Sequence, residues 1–254
     1  MPLTLITVPC LDDNYAFLLG DPETGEAAVV DVPEAAPITA ALAEAGWRLT
    51  TVLLTHHHWD HVDGLKDLAA AGLRVIGARA DAHRLPRLTE AVSEGDRIDV
   101  LGETAHILDV SGHTMGHIAF HLPGPALAFT GDSLMAMGCG RLFEGTARDM
   151  WHSMQKLRKL PPETTICSGH EYTLTNARFA ATLEPENPRL KSALTAVQAA
   201  RDAGRATVPT QLRDEMATNP YLRADDPGLM SALGLSAADP ADVFAEIRRR
   251  KDTF

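Results

Sequence analysis

One short segment constrains this chain more than any other. Residues 55–61 read Thr-His-His-His-Trp-Asp-His and directly follow the apolar run of residues 51–54. Imidazole and carboxylate groups are together the ligands of Zn²⁺, Fe or Mn in catalytic sites. Four candidate ligands fall within six positions, namely His56, His58, Asp60 and His61. We therefore predict a metal site at the end of a buried strand, in preference to a polar loop of solvated histidines.

The spacing of these residues predicts two ligand directions. Side chains alternate along a strand, so His56 and His58 are expected on one side and His57 on the other. A helix is expected to begin near Asp60, because aspartate is a favoured N-cap residue. Asp60 and His61 then leave the backbone in a different direction and are able to reach a second ion. Trp59 is expected to pack the loop in place.

Three later segments each place one further candidate ligand just past a short apolar run. They are residues 112–117 with His113, residues 130–133 with Asp132, and residues 168–172 with His170. A glycine stands beside each ligand, and its missing side chain lets backbone and ion approach closely. A single His or Asp is more often structural, but repetition of the strand-end pattern favours ligands.

These residues resemble a known family. The H-x-H-x-D-H pattern, with the later His, Asp and His, is similar to the metallo-β-lactamase superfamily. Residues 138–146, 169–173, 219–223 and 248–254 resemble the glyoxalase II (hydroxyacylglutathione hydrolase) family within it. The resemblance spans essentially the whole chain. It implies an α/β (α+β) fold: an αββα sandwich as the catalytic domain over residues 1–171, and a helical glutathione-binding domain over residues 172–254.

The resemblance also implies a binuclear metal site. One ion is expected on His56, His58 and His113, and the other on Asp60, His61 and His170. Asp132 is expected to bridge the two ions, together with a water or hydroxide. Zinc is the favoured metal, and iron and manganese stay open because the ligand set without thiolate suits all three. A bound metal lowers the pKa of water towards ~7, so a nucleophile exists at neutral pH. Asp60 and Asp132 are the predicted catalytic residues, and Asp60 is expected to orient the nucleophile.

The implied reaction is hydrolysis of S-(2-hydroxyacyl)glutathione thioesters. The resemblance points chiefly to S-D-lactoylglutathione, which gives glutathione and D-lactate in methylglyoxal degradation. A thiol has a pKa of ~8.5 and leaves readily as thiolate, so no strong general acid is required. Glu144 and Glu171 stay open as proton donors, although hydrogen-bonding roles are favoured for both. The alternative is another enzyme of this fold that acts on a sulfur substrate, such as a glutathione persulfide dioxygenase.

Five residues are predicted to contact the substrate through the same resemblance. Glutathione thioesters are anionic, and Arg248 and Lys251 match the family positions that bind the glutathione carboxylate. The other reading of this basic segment is a solvated helix end that complements the helix dipole. Arg141 and Tyr172 match the family contacts near the metals, and Arg141 stands where some members have Lys. Phe143 stands where some members have Tyr, so one hydroxyl contact is expected to be missing.

Composition restricts the partners and the compartment. The chain has 254 residues and a net charge of −11, which argues against a broad nucleic-acid surface. No apolar stretch reaches the length of a membrane span, and the start at residues 1–4 lacks a charged n-region and a long apolar core, so no signal peptide is expected. Cys10, Cys139 and Cys167 form no C-x-x-C motif and are expected as reduced, buried residues. We therefore expect a cytoplasmic monomer whose partner is a small glutathione thioester, with no membrane and no nucleic acid.

Hydrophobic patterns predict two halves. Strands are expected at residues 3–8, 15–19, 27–32, 74–78, 97–101, 105–110, 118–122 and 126–130. Helices are expected at residues 37–45, 61–71 and 147–160. Beyond about residue 172 only helices are expected, at residues 174–183, 188–203, 210–217 and 241–250.

Overall fold

The structure is a computed structural model that describes residues 2–68 and 72–254. The chain divides into two structural units. The first runs from the N-terminus to Asp109 and also includes Gly116–Gly131. The second consists of Val110–Met115 and Asp132–Phe254.

The first unit begins with a six-stranded mixed sheet. Its strands, in spatial order, are β1 (Thr4–Cys10), β2 (Asn14–Gly20), β3 (Glu26–Val30), β4 (Arg48–Leu53), β5 (Arg74–Ala78) and β6 (Glu90–Val92). The first three strands are antiparallel, and β3 to β6 run parallel. Helix α1 (Ala35–Ala45) buries Ile38 and Leu42 in the core of this sheet. It ends at Ala45, as predicted, and Gly46 follows in the left-handed conformation.

Four more strands of the first unit pair in an antiparallel manner. They are β7 (Arg97–Val100), β8 (Glu103–Asp109), β9 (Ile118–Leu122) and β10 (Leu127–Gly131), in the order β10-β9-β8-β7. Strand β2 is buried on both faces. Its Ala16 and Leu18 belong to the core that α1 covers, whereas the ring of Phe17 lies 5.7 Å from that of Phe129 in β10. The first unit therefore consists of a helix layer packed on one sheet, which in turn packs on the other. Because β2 is buried on both faces, its sequence is a continuous apolar run and not an alternating one.

The helix predicted for residues 61–71 differs from the structure. A single turn of helix, α2 (Trp59–Val62), is followed by a 3₁₀ segment, Asp63–Asp67. Residues 69–71 of the predicted helix lie outside the described residues. The helix begins at Trp59, close to Asp60 as predicted, but its N-cap is His58 and not Asp60. Trp59 is 65% exposed, so its predicted packing role was also wrong.

The second unit is mainly helical. Its strands are β11 (Leu134–Met135), β12 (Gly138–Cys139), β13 (Thr165–Ser168) and β14 (Thr210–Gln211). Its helices are α3 (Ala147–Leu157), α4 (Thr173–Leu183), α5 (Pro188–Asp202), α6 (Leu212–Thr218), α7 (Pro227–Leu233) and α8 (Pro240–Asp252). Strands β11 and β12 form a hairpin, and β13 pairs with β14. The predicted helix at residues 210–217 therefore begins as a short strand.

Prolines begin three helices of this unit. Helices α5, α7 and α8 each have proline at the first helical position, preceded by Asn187, Asp226 and Asp239 as N-caps. Each cap side chain accepts a hydrogen bond from a backbone N–H of the first turn. These prolines thus start helices and fix where the connecting loops end.

The structure bears on two expectations from composition, in the part of the chain that it describes. Cys10, Cys139 and Cys167 are all buried, free thiols. Among residues 2–68 and 72–254, no helix is both long enough and apolar enough to cross a membrane. The predicted domain border at residues 171/172, the monomeric state and the compartment stay predictions.

Candidate active site

The loop after β4 brings two imidazole rings together. Nε2 of His56 lies 3.1 Å from Nδ1 of His58. The hydroxyl of Thr55 donates to Oδ2 of Asp31 (2.8 Å), so its oxygen accepts from Nδ1 of His56 (3.0 Å). The neutral ring of His56 consequently carries its lone pair on Nε2, the atom that faces His58. A chain of two hydrogen bonds thus fixes the tautomer of this ring.

Helix α2 supplies the next pair of side chains. Nδ1 of His61 donates to Oδ2 of Asp31 (2.9 Å), because a carboxylate only accepts. Its Nε2 therefore carries the lone pair and lies 3.7 Å from Oδ2 of Asp60. The Asn14 side chain donates to the same Asp60 oxygen (3.1 Å) and to the Asp60 carbonyl (3.0 Å). Both candidate ligands of α2 are thus held in orientation by residues of other elements.

Asp31 is a candidate functional residue that the sequence analysis missed. It is 3% exposed and accepts hydrogen bonds from the Thr55 backbone N–H (2.8 Å), the Thr55 hydroxyl and the His61 ring. Ligand atoms of Asp31, His56 and His61 all lie within 4.8 Å of one another. The predicted strand at residues 27–32 included Asp31, whereas β3 ends at Val30, so Asp31 directly follows its strand just as the other candidates follow theirs. Such a carboxylate behind metal-binding histidines orients them and raises their basicity.

Two neighbouring histidines lie outside this ligand group. Nδ1 of His57 donates to Oδ2 of Asp81 (2.9 Å), in keeping with its predicted opposite direction. The ring of His117 stacks on that of His56, with centroids 4.5 Å apart and an angle of 13° between the planes. His117 is fully buried, so it packs against the ring of His56.

The second unit groups three other predicted ligands. Nε2 of His113 lies 3.5 Å from Oδ2 of Asp132, and Nε2 of His170 lies 3.3 Å from the same oxygen. Nδ1 of His113 donates to the Arg141 carbonyl (2.7 Å), which leaves the lone pair on Nε2. All three ligand side chains are at least nine-tenths buried. One carboxylate oxygen thus stands between two imidazole rings.

The chemistry of both groups fits divalent metal ions. Nitrogen ligands of a tetrahedral zinc ion stand ~3.3 Å apart for Zn–N bonds of ~2.0–2.1 Å. The 3.1 Å between the ring nitrogens of His56 and His58 is close to this spacing. The lone pairs of His56, His61 and His113 are fixed on Nε2, because Nδ1 of each ring donates to an acceptor behind it. Buried, pre-oriented imidazoles beside carboxylates are the surroundings that such an ion requires.

Two aromatic residues of the second unit pack on its histidines. The ring of Tyr172 stacks on that of His170, with centroids 4.7 Å apart and planes within 7°. The ring of Phe143 meets that of His113 edge-on at 5.2 Å, and Phe143 is 63% exposed. Both predicted substrate contacts of this type therefore lie directly beside predicted ligands.

Arg248 is more deeply buried than a solvated helix end. It is 6% exposed and donates to the Cys139 carbonyl (3.1 Å) and to Asp252 (3.0 Å). Its guanidinium also lies over the ring of Tyr221 at 5.4 Å. This arginine thus joins α8 to β12.

Lys251 is half-buried beside two other cations. Burial, together with the charges of Arg248 and Arg141, lowers the pKa of Lys251 to about 8. Its ammonium lies 5.4 Å from the centre of the Phe179 ring and 5.1 Å from that of Phe254. Three cations close enough to disturb one another make this part of the second unit suited to anions.

The two glutamates considered as proton donors make structural hydrogen bonds. Glu144 accepts from the Met115 backbone N–H (2.7 Å). Glu171 accepts from the Thr207 backbone N–H (2.7 Å) and lies 3.3 Å from the Arg201 guanidinium. These contacts agree with the hydrogen-bonding roles that the sequence analysis favoured.

Comparison with known proteins assigns the whole chain. The family profile described as "Metallo-beta-lactamase superfamily" matches residues 12–170, and that described as "Hydroxyacylglutathione hydrolase C-terminus" matches residues 171–254. A hydroxyacylglutathione hydrolase of Cereibacter sphaeroides is 64% identical over the full length of both chains.

Solved structures give the same fold. The B3 metallo-β-lactamase BLEG-1 superposes with a TM-score of 0.67 at 18% identity, over 86% of this chain and 99% of that one. TTHA1623 in a di-iron-bound form superposes with a TM-score of 0.56 at 27% identity, over 66% of this chain and 91% of that one. The fold is the metallo-β-lactamase fold with a helical C-terminal region, and its His and Asp clusters are consistent with a dinuclear metal site. The chain belongs to the hydroxyacylglutathione hydrolase family of the metallo-β-lactamase superfamily.

Proposed function

We propose that this chain hydrolyses S-(2-hydroxyacyl)glutathione thioesters, chiefly S-D-lactoylglutathione to glutathione and D-lactate. The observation that carries the proposal is the 64% identity, over the whole chain, with a protein named hydroxyacylglutathione hydrolase. Every predicted ligand position carries the His or Asp that the family pattern requires.

The proposed centre binds two divalent metal ions. The ligands are His56, His58 and His113 for one ion, Asp60, His61 and His170 for the other, and Asp132 for both. Two observations support this assignment: the fixed ring tautomers of His56 and His61 in the first unit, and the Asp132 oxygen that lies between His113 and His170 in the second. Zinc is the proposed metal, and iron and manganese suit the same donors. The di-iron form of TTHA1623 shows that one protein of this fold binds two irons.

The chain's own residues then prepare a water molecule for attack on the thioester carbonyl. When bound, such ions supply Lewis acidity that lowers the pKa of water and polarises a carbonyl. We propose that Asp60 orients the water and accepts its proton, and the hydrogen bond from Asn14 to Asp60 supports a fixed orientation of this carboxylate. The water oxygen forms a bond to the acyl carbon, the C–S bond breaks, and glutathione leaves as thiolate. A thiol of pKa ~8.5 leaves without a strong acid, which agrees with the structural roles of Glu144 and Glu171.

The cations of the second unit are proposed to bind glutathione. Lys251 and Arg141 meet its carboxylates, and Arg248 adds positive potential from its buried position between α8 and β12. Tyr172 offers a hydroxyl next to the His170 ring, whereas Phe143 offers only an apolar edge next to His113. The proposed site therefore recognises the thiol part of the substrate more specifically than the acyl part.

Turnover of two substrates separates this proposal from its alternative. Purified, metal-replete protein is given S-D-lactoylglutathione, followed as loss of thioester absorbance, and in parallel glutathione persulfide, followed as oxygen uptake. We expect rapid thioester hydrolysis without oxygen uptake. Oxygen uptake with no thioester hydrolysis would replace the proposal with a persulfide dioxygenase.

A further inference from the structure

Along the chain, a small hairpin lies between the proposed metal ligand Asp132 and the proposed substrate-binding residue Arg141. Strands β11 and β12 are joined by the two-residue turn Ala136–Met137. The hairpin follows Asp132 almost directly and leads, through Gly140, to Arg141. Met137 has a φ of +55°, a conformation that side chains other than glycine rarely adopt. Surrounding contacts must therefore hold this turn in place.

Three buried polar side chains from the helical region hold the hairpin. Asn176 belongs to α4, Glu215 to α6, and Asn219 directly follows α6; all are at most 6% exposed. The hydrogen bonds are Met137 N–H to Glu215 Oε2 (2.7 Å), Asn219 Nδ2 to the carbonyls of Met135 (3.1 Å) and Gly138 (2.9 Å), and Asn176 Nδ2 to the Ala136 carbonyl (3.0 Å). Asn219 Nδ2 also donates to Glu215 Oε2 (3.0 Å), so Glu215 and Asn219 form one buried pair.

The far end of the hairpin contacts two proposed ligands. The Gly140 backbone N–H donates to the Asp132 carbonyl (3.0 Å), and the Arg141 carbonyl accepts from Nδ1 of His113 (2.7 Å). A Cβ atom at Gly140 would lie 2.1 Å from the Asp132 carbonyl oxygen and 2.8 Å from Nδ1 of His113. The backbone at residues 140 and 141 therefore has little freedom to shift without moving both ligands.

We propose that Glu215 and Asn219 are positioning residues for catalysis. They hold the β11–β12 hairpin, and the hairpin presents the Arg141 carbonyl that keeps His113 in the Nδ1–H tautomer beside Asp132. Their hydrogen bonds to the hairpin go to the backbone of residues 135–138, so both residues act on His113 and Asp132 through this backbone. The inference rests on the proposed function in taking His113 and Asp132 as metal ligands.

The test compares Glu215→Ala and Asn219→Ala with two controls. Glu215→Gln keeps an acceptor for the Met137 N–H, and Leu229→Ala removes a buried side chain of α7, an element outside the hairpin. The readouts, on the full zinc-loaded chain, are protection of the His113 Nδ1 proton in ¹⁵N-histidine NMR spectra, the rate of zinc loss to a chelator, and kcat and KM. Only the first readout needs neither bound metal nor turnover, so it is repeated on the metal-free chain.

We expect both alanine variants to lose protection of the His113 proton, to release zinc at least tenfold faster, and to lower kcat at least tenfold with KM within about twofold. Glu215→Gln is expected to keep wild-type values of all three readouts. Leu229→Ala is expected to lower only the melting temperature. Should Asn219→Ala fail to fold, Asn176→Ala removes the single bond to Ala136 and is expected to give a smaller change of the same kind. Wild-type values for all readouts in the alanine variants would overturn the inference. Absence of thioester hydrolysis in the wild type would contradict the proposed function alone, since the proton and zinc readouts still decide the inference.

Discussion

Glu215 makes the second unit sensitive to pH, and Glu215→Gln is expected to remove that sensitivity. Burial raises the pKa of Glu215 from 4.5 to about 7, although hydrogen bonds from Met137 and Asn219 act in the opposite direction. In the unfolded chain the carboxyl loses its proton near its ordinary pKa. Between these two values the folded protein holds a proton that the unfolded chain has released. The free energy of unfolding therefore falls as pH rises through this window.

The magnitude follows from the two pKa values. At 1.36 kcal/mol per pH unit, the interval between 4.5 and about 7 corresponds to about 3 kcal/mol. This loss of stability is absent below pH 4.5, where Glu215 is protonated in the folded and the unfolded chain. It is complete above pH 7, where Glu215 is ionised in both. Glutamine has the same shape and keeps an acceptor for the Met137 N–H, but it never carries the charge. Glu215→Gln should therefore be more stable than wild type at pH 7.5, and by progressively less towards pH 5.

Urea unfolding of both proteins, metal-loaded and measured from pH 5 to pH 8, checks this reasoning. Only the difference between the two curves matters, because the other titrating groups contribute equally to both proteins. We expect the stability advantage of the glutamine variant to grow by about 2 kcal/mol or more over this range. A constant difference, or one that shrinks as pH rises, would refute the placement of Glu215 in a desolvated site.

Three further predictions concern the proposed centre. Asp31→Ala should weaken metal affinity by about 10-fold to 100-fold, because it removes the acceptor of the His61 hydrogen bond. Zinc titration against a competing chelator measures this affinity. An unchanged affinity would exclude an orienting role for Asp31. Lys251→Met should raise KM by about three- to tenfold at pH 7 with kcat unchanged. The Lys251 ammonium has a pKa of about 8 and is protonated below that pH. The KM of the wild type should therefore rise above pH 8, and the KM of the variant should not. Asp132→Ala should abolish turnover and lower the metal content measured by atomic emission, and full activity with normal metal content would exclude the bridging role.

Regular elements with a clear hydrophobic pattern were predictable from the sequence. The strands at residues 74–78 and 118–122 have the predicted bounds, and helix α1 ends at Ala45, where predicted. In these segments, local pattern and tertiary burial agree. The sequence also showed that each of the four segments with candidate ligands directly follows an apolar run.

Short elements escaped the sequence analysis because tertiary contacts define them. Strands β11, β12 and β14 have two residues each, too few to show a period of two. The β11–β12 hairpin instead depends on Glu215 and Asn219, about 80 residues away along the chain. A sequence pattern contains no trace of such a contact.

The sequence analysis missed Asp31 and mispredicted the environment of Trp59, for different reasons. Asp31 occupies the same strand-end position as the predicted ligands, but the predicted strand at residues 27–32 ran two residues beyond the end of β3 and so included it. Trp59 was expected to pack the ligand loop, but α2 is only one turn long and its tryptophan is 65% exposed. Single exposed apolar side chains are common on protein surfaces, and a sequence does not reveal them.

The most direct test of the two-metal account is a titration of metal-free protein with zinc while hydrolysis of S-D-lactoylglutathione is followed. We predict no turnover without metal, and full activity only as the second equivalent of zinc binds. Full activity in protein verified to be metal-free would contradict the account, as would a rate that reaches its maximum at one equivalent.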